Sequence, residues 1–187
     1  MNRSASVHLV WGPVLQYTFA DCSLGELLLV TSPEAICGIA LGDTRDPLLA
    51  SVRRDFPGVE LRPTSAGDTP FLDQVRALVD GQGDSQGLPL ALAGTAFQRR
   101  VWSALADTTP GATLAYGALA ASLGCPGAAR AVAAACAANR LAVAVPCHRV
   151  IAANGALAGY RWGIERKRRL LAREREHGFT TAPATRP

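Results

Sequence analysis

The feature that most constrains this chain is a break near its middle. Residues 80–87, Asp-Gly-Gln-Gly-Asp-Ser-Gln-Gly, combine repeated glycines with no large apolar side chain, so regular structure must be built on either side of them. On the N-terminal side Leu15–Ala20, Gly25–Val30 and Ala35–Leu41 are apolar or alternating runs separated by Ser, Gly and Pro turns, the pattern of a strand meander. Pro47–Asp55 and Pro70–Val79 have helical spacing, and each opens on a proline, which suits a first helical turn. Arg62–Thr69 reads as the loop between them. On the C-terminal side Thr95 is placed to cap a helix running to about Ala106, with Phe97, Val101, Ala104 and Leu105 on one face. Pro110-Gly111 ends that pattern. A short helix over Tyr116–Leu123, the turn Gly124-Cys125-Pro126 and a longer helix from Gly127 through Ala138 then have the layout of a helix-turn-helix. The expected fold is α+β, with one unit over residues 1–90, a mostly helical one over 91–179, and a Thr-, Ala- and Pro-rich tail over 180–187 expected to be disordered.

Charge divides the chain at the same place. Residues 1–90 hold six Arg against eleven Asp and Glu, whereas residues 91–187 hold thirteen Arg and Lys against four Asp and Glu. A half at +9 is where a polyanion would bind, although an arginine-rich composition alone gives the same balance. The run Arg166-Lys167-Arg168-Arg169 fits either a solvated helix face or a patch that contacts phosphates. No apolar stretch has the length of a membrane span, and the start lacks the basic and apolar regions of a secretory signal. The five cysteines, without paired short spacings, suggest reduced thiols in the cytoplasm. Their wide spacing and the few histidines speak against a metal site, and no Gly-rich phosphate loop is present.

Two segments carry possible chemistry. The helix from Gly127 to Ala138 is built of Ala, Gly, Val and Cys around one large polar residue, Arg130. Val132 and Cys136 share its inward face; Arg130 could snorkel to solvent from a plain core helix, or a thin helix could enter a DNA groove with Arg130 replacing an extruded base. Leu141–Val145 has the length of a buried strand and ends at Pro146-Cys147-His148-Arg149. A thiol with an ordinary pKa of about 8.5 needs a base or cation to become substantially thiolate at neutral pH. Neighbours on an extended chain point apart, so contact between Cys147 and His148 would take a turn or a bridging water. Glu165, Glu174 and Glu176 are the acids that could orient the imidazole. Local chemistry leaves an inert Cys–His pair and an activated thiol both open.

The segments Gly94-Thr95-Ala96-Phe97-Gln98-Arg99-Arg100-Val101-Trp102, Tyr116-Gly117, Ala128-Ala129-Arg130-Ala131-Val132, Asn139, Pro146-Cys147-His148-Arg149-Val150 and Gly159-Tyr160-Arg161-Trp162-Gly163 resemble, in order and spacing, those of the O6-alkylguanine-DNA alkyltransferases, also called methylated-DNA–protein-cysteine methyltransferases. The likeness is nearest to bacterial stand-alone forms and to the alkyltransferase part of bacterial adaptive-response regulators. It implies an N-terminal ribonuclease-H-like α/β domain and a C-terminal, mostly helical domain with a helix-turn-helix. It further implies direct-reversal repair of double-stranded DNA containing alkylated guanine, with O4-alkylthymine as a further candidate, by a monomer that needs neither cofactor nor metal. Cys147 would be the acceptor, consumed in a single turnover. By the same resemblance His148 would withdraw the thiol proton through a water, Glu174 would orient the imidazole, and Asn139 would brace the turn before the acceptor. Tyr116 would protonate the leaving guanine and press on the DNA backbone. Arg130 would fill the vacated position, with Gln98 and Ala129 as further DNA contacts. Tyr160, Pro146 and the carbonyl of Val150 would line the base pocket. The sequence departs from the family pattern at Cys125 in the turn and at Arg140 after Asn139, while Ala142 and Ala158 fall near the pocket, where members vary. The regulatory region of adaptive-response proteins is not recognised, so repair without a transcriptional switch is expected.

Overall fold

The computed structural model describes residues 11–157 and 159–177. The expectations attached to the chain start, to Ala158 and to the 180–187 tail lie outside these. The three apolar runs form the expected meander, β1 (Val14–Cys22), β2 (Gly25–Thr31) and β3 (Ile36–Gly42), paired antiparallel. β2 lies between the other two, and Leu27 to Val30 are all buried because both faces of that strand are covered. The β1–β2 connection turns through Gly25 at φ +105°, where a Cβ would stand 2.5 Å from the carbonyl oxygen of Gly42, so only glycine fits.

Helix α1 (Arg45–Asp55) packs on β2 and β3, and α2 (Leu72–Val79) on β1. Neither starts on its proline as expected: Pro47 sits inside the first turn of α1, and Pro70 precedes Phe71, whose left-handed backbone (φ 66°) enters α2. The loop expected over Arg62–Thr69 is also corrected. β4 (Glu60–Pro63) runs parallel to β1 and completes a four-stranded sheet of order β3-β2-β1-β4, followed by a 3-10 turn at Ala66–Asp68. No β4 residue is buried, so it carries no apolar signature, and an edge position tolerates a proline without a ladder donor.

The far edge of β3 is closed by segments later in the chain, around Leu90 and Leu141. Ile36 bridges to Leu90 and Ile39 to Leu141, with the Ile39 N–H on the carbonyl of Arg140 (2.8 Å) and the Ala142 N–H on that of Ile39 (2.9 Å). The strand expected over Leu141–Val145 is therefore a one-residue bridge followed by turns, with Val143 at φ 66°. The run is apolar because it is buried at a junction, and a short apolar run does not report whether it is extended.

Helices α3 (Ala96–Ala106), α4 (Tyr116–Ser122), α5 (Ala129–Ala137) and α6 (Ile164–His177) make up the rest, with the two-residue strands β5 (Leu114–Ala115) and β6 (Val150–Ile151) paired in parallel. Thr95 caps α3 in a reciprocal box with Gln98. The buried Trp102 indole donates to the Ala135 carbonyl (2.9 Å) and ties α3 to α5, whose Val132 and Cys136 point inward as expected.

The basic run on α6 is not a wholly solvated face, since part of it turns inward or toward the N-terminal half. Arg168, paired with Glu165, and Arg169 are exposed. Arg166 donates to the Leu24 carbonyl (2.8 Å) and pairs with Asp43; Arg169 reaches the Ser23 carbonyl; and Lys167 is fully buried. Further along, Arg173 bonds the Ser23 hydroxyl (2.9 Å). Arg161, just before α6, pairs with Asp55 at the end of α1. The positive half thus spends much of its charge on the negative one.

The Asp55 and Arg161 side chains are only 18% and 22% exposed, so this pair is more than a surface contact. Asp55→Ala should cost about 1–3 kcal/mol, read as a lower urea midpoint at unchanged m-value; an unchanged midpoint would show the pair to be idle.

Candidate active site

α4, the turn through Gly124 (φ 71°) and Gly127 (φ 93°), and α5 form the expected pair of helices, with α5 starting at Ala129 rather than Gly127. α5 delivers the chain to Asn139, which is buried and organises the turns leading to Cys147. Its Oδ1 accepts the Leu141 N–H (2.8 Å), and its Nδ2 donates to the Val145 carbonyl (2.9 Å) and to Cys147 Sγ (3.2 Å). A single amide therefore shapes the turn and places an N–H on the sulfur. Arg140 keeps this turn without proline: its carbonyl joins β3, and its guanidinium lies over the Phe56 ring at 5.7 Å.

Cys147, His148 and Arg149 form one 3-10 turn, so the two neighbours do not diverge as they would on an extended strand. His148 Nε2 lies 2.8 Å from Glu174 Oε1, whereas its Nδ1 is buried with no hydrogen-bond partner among the described residues. Of the three candidate acids in the sequence, Glu174 is the one selected; Glu165 faces solvent with Arg168, and Glu176 is exposed. Glu174 also accepts from both Arg149 Nε (3.1 Å) and Nη2 (2.8 Å) and from the Gly111 N–H (2.9 Å). Arg149 in turn donates to the Thr108 hydroxyl (2.9 Å).

A cavity of about 180 Å³ opens beside the sulfur, lined by Tyr116, Ala133, Cys136, Ala137, Cys147, Gly159, Tyr160 and Arg161. The Tyr160 hydroxyl is buried without a hydrogen-bond partner among the described residues, and its ring packs edge-on to His148 and to Trp162. Two residues expected in the pocket are not among its walls. Pro146 lines a separate cavity behind Arg149 and Glu174, and the Val150 carbonyl is taken by Lys167 Nζ at 2.6 Å. Ala142 is buried in the junction with β3. Arg130 is exposed on the first turn of α5 with Ala129 beside it, outside the cavity walls. The Gln98 side-chain oxygen is engaged by the Thr95 N–H (2.8 Å).

Burial pushes the Cys147 thiol up to about 11, although the Asn139 amide and the Lys167 and Arg161 cations draw it the other way. Burial also lowers the His148 pKa below its usual value, against the pull of Glu174, which keeps the imidazole neutral at neutral pH. Burial would raise Glu174, but hydrogen bonds from His148 and Arg149 bring it down to about 2. With Glu174 ionised, the imidazole proton belongs on Nε2, leaving the Nδ1 lone pair as the base. Burial raises the Tyr116 hydroxyl as well, so it stays a proton donor.

Arg149, Arg161 and Lys167 draw no role from the sequence alone, yet they hold the site together. Lys167 bridges the Val150 carbonyl and that of Gly159 (3.3 Å), joining β6 to the loop that walls the cavity. The signal is available: Lys167, Leu170, Leu171 and Glu174 follow helical spacing, and the two leucines mark that face as the buried one.

Residues 96–176 match the family model described as 6-O-methylguanine DNA methyltransferase, DNA binding domain. The chain is 43% identical over 163 residues to the bifunctional transcriptional activator/DNA repair enzyme Ada of Escherichia coli, covering 87% of this chain but 46% of that protein. It thus spans about half the length of that relative, and likewise 45% of the regulatory protein ada of Salmonella typhimurium. It is 41% identical over 157 residues to the methylated-DNA–protein-cysteine methyltransferase of Mycolicibacterium paratuberculosis, covering 81% of this chain and 93% of that one. Among solved structures, Mycobacterium tuberculosis OGT in complex with DNA superposes with a TM-score of 0.70 at 36% identity, over 90% of this chain and 96% of that one.

Because its folded pKa lies below the ordinary 4.5, Glu174 contributes stability that is present above that pH and lost as pH falls toward about 2. Glu174→Gln should be less stable at pH 7 by on the order of 2–3 kcal/mol, and the two unfolding curves should converge at the acid end. A constant offset between them would rule out the linkage.

Proposed function

The chain belongs to the methylated-DNA–protein-cysteine methyltransferase family, and from that membership we propose that it repairs O6-alkylated guanine in double-stranded DNA by taking the alkyl group onto Cys147. The observation that carries this reading is the Cys147 sulfur on the wall of the cavity, with the Asn139 N–H on it and the His148–Glu174 pair behind it.

A thiol held near 11 is almost wholly protonated at rest, so the proton must leave as the reaction proceeds. Neutral His148 receives it at Nδ1 through a water, and Glu174 steadies the imidazolium that forms. The Asn139 N–H and the nearby cations stabilise the developing sulfur anion. The sulfur attacks the alkyl carbon, the bond from that carbon to O6 breaks, and the Tyr116 hydroxyl supplies a proton to the departing guanine. The product is a stable thioether, so each molecule acts once. Arg130, exposed on the small-residue helix α5, is suited to enter the stack where the nucleotide has left. No described helix is long and apolar enough to cross a membrane.

A duplex carrying a labelled O6-methylguanine should transfer one label per molecule, and Cys147→Ala should accept none; sustained turnover, or labelling that survives the substitution, would refute the proposal. His148→Ala should slow transfer roughly 10²–10⁴-fold. Because the His148 pKa is lowered, the wild-type rate should hold through pH 6.5 and fall only below it. Arg130→Ala should slow reaction with duplex DNA but not with a free O6-alkylguanine base, which needs no extrusion; equal slowing on both would remove Arg130 from that role.

A further inference from the structure

The cavity contains a second thiol that alkyl transfer does not use. Cys136, on the inward face of α5, lines the same space as Cys147, and both residues are almost fully buried, at 7% and 4% exposed. The remaining cysteines lie elsewhere. Cys37 lines a small separate cavity beside Trp11 and Trp102, while Cys22 and Cys125 donate to the Gly25 and Leu123 carbonyls. We propose that Cys136 and Cys147 form a paired-thiol site that takes a trivalent arsenical, one arsenic bound by both sulfurs.

The chemistry favours this ligand over other thiophiles. With a monosubstituted arsenous acid, each step breaks one S–H and one As–O bond and forms one As–S bond. The proton leaves with the hydroxide as water, and arsenic stays trivalent. The exchange is electrically neutral, so thiols that burial holds near 12 and 11 are not penalised by it. A divalent cation on the same sulfurs would have to expel two protons into solution, and a disulfide would need an oxidant. The first As–S bond also makes the second an intramolecular step at high effective concentration, so the paired adduct should resist monothiols that strip a single one. An arsenic on Cys147 blocks the acceptor; only this consequence rests on the function proposed above.

The full chain is treated with equimolar phenylarsine oxide in excess glutathione, followed by intact mass, peptide mapping and a count of free thiols. The expected result is one phenylarsenic per chain with loss of two hydrogens, mapped to Cys136 and Cys147, two thiols consumed, and release by dithiothreitol. Cys136→Ser and Cys147→Ser should each lower the yield roughly tenfold or more, whereas Cys37→Ala leaves it unchanged. An adduct that persists in Cys136→Ser, maps to another pair or consumes one thiol overturns the proposal, and the thiol count on the unaltered chain needs no variant to fold. Untreated chain is assayed in parallel for methyl acceptance. Acceptance without a paired adduct overturns the pairing alone, and a paired adduct without acceptance overturns the alkyl-transfer reading alone.

Discussion

Glu174 receives hydrogen bonds from His148, Arg149 and Gly111, and so joins α6 to two separate turns of the C-terminal half. With the imidazole as its sole partner, a carboxylate in this position would orient the ring yet remain open to protonation. The guanidinium of Arg149 and the backbone N–H of Gly111 lock it in the ionised form. The consequence passes along the chain of contacts: an ionised Glu174 fixes the proton on His148 Nε2, which frees Nδ1 for the thiol. The same contacts pin α6 against the 3-10 turn that carries Cys147. The electrostatics of the site and its rigidity are one arrangement.

A second consequence concerns where charge is placed. A strongly basic half beside an acidic one invites the reading that the basic half meets an external polyanion. Arg161, Arg166, Arg169 and Arg173 are instead turned toward Asp55, Asp43 and backbone carbonyls of the N-terminal half. Arg130 is exposed on α5, a helix otherwise built of small residues.

Much of this is legible in the sequence, for identifiable reasons. The meander, the Thr95–Gln98 cap and the inward face of α5 each rest on a local rule, periodicity or capping, that tertiary context leaves alone. The Cys147 neighbourhood is legible only by likeness, because its chemistry depends on Glu174, far along the chain. β4 is hidden because none of its residues is buried, and Leu141–Val145 misleads because burial, not extension, makes it apolar. Lys167 looks like a surface charge because it stands in a basic run; the spacing to Leu170, Leu171 and Glu174 is the better guide. The walls of the pocket are partly missed for a similar reason, since the carbonyl of Val150 is engaged by that same buried lysine.

The closure of β3 by Leu90 and Leu141 has a bearing on what the sheet offers to other chains. An uncovered strand edge is a template for other chains, and β3 is apolar and without a charged side chain along its length. The polypeptide masks it with its own later segments, at Leu90 and at Leu141. Stretches that read as packing filler beside Cys147 therefore also occupy a backbone edge that another strand could otherwise extend.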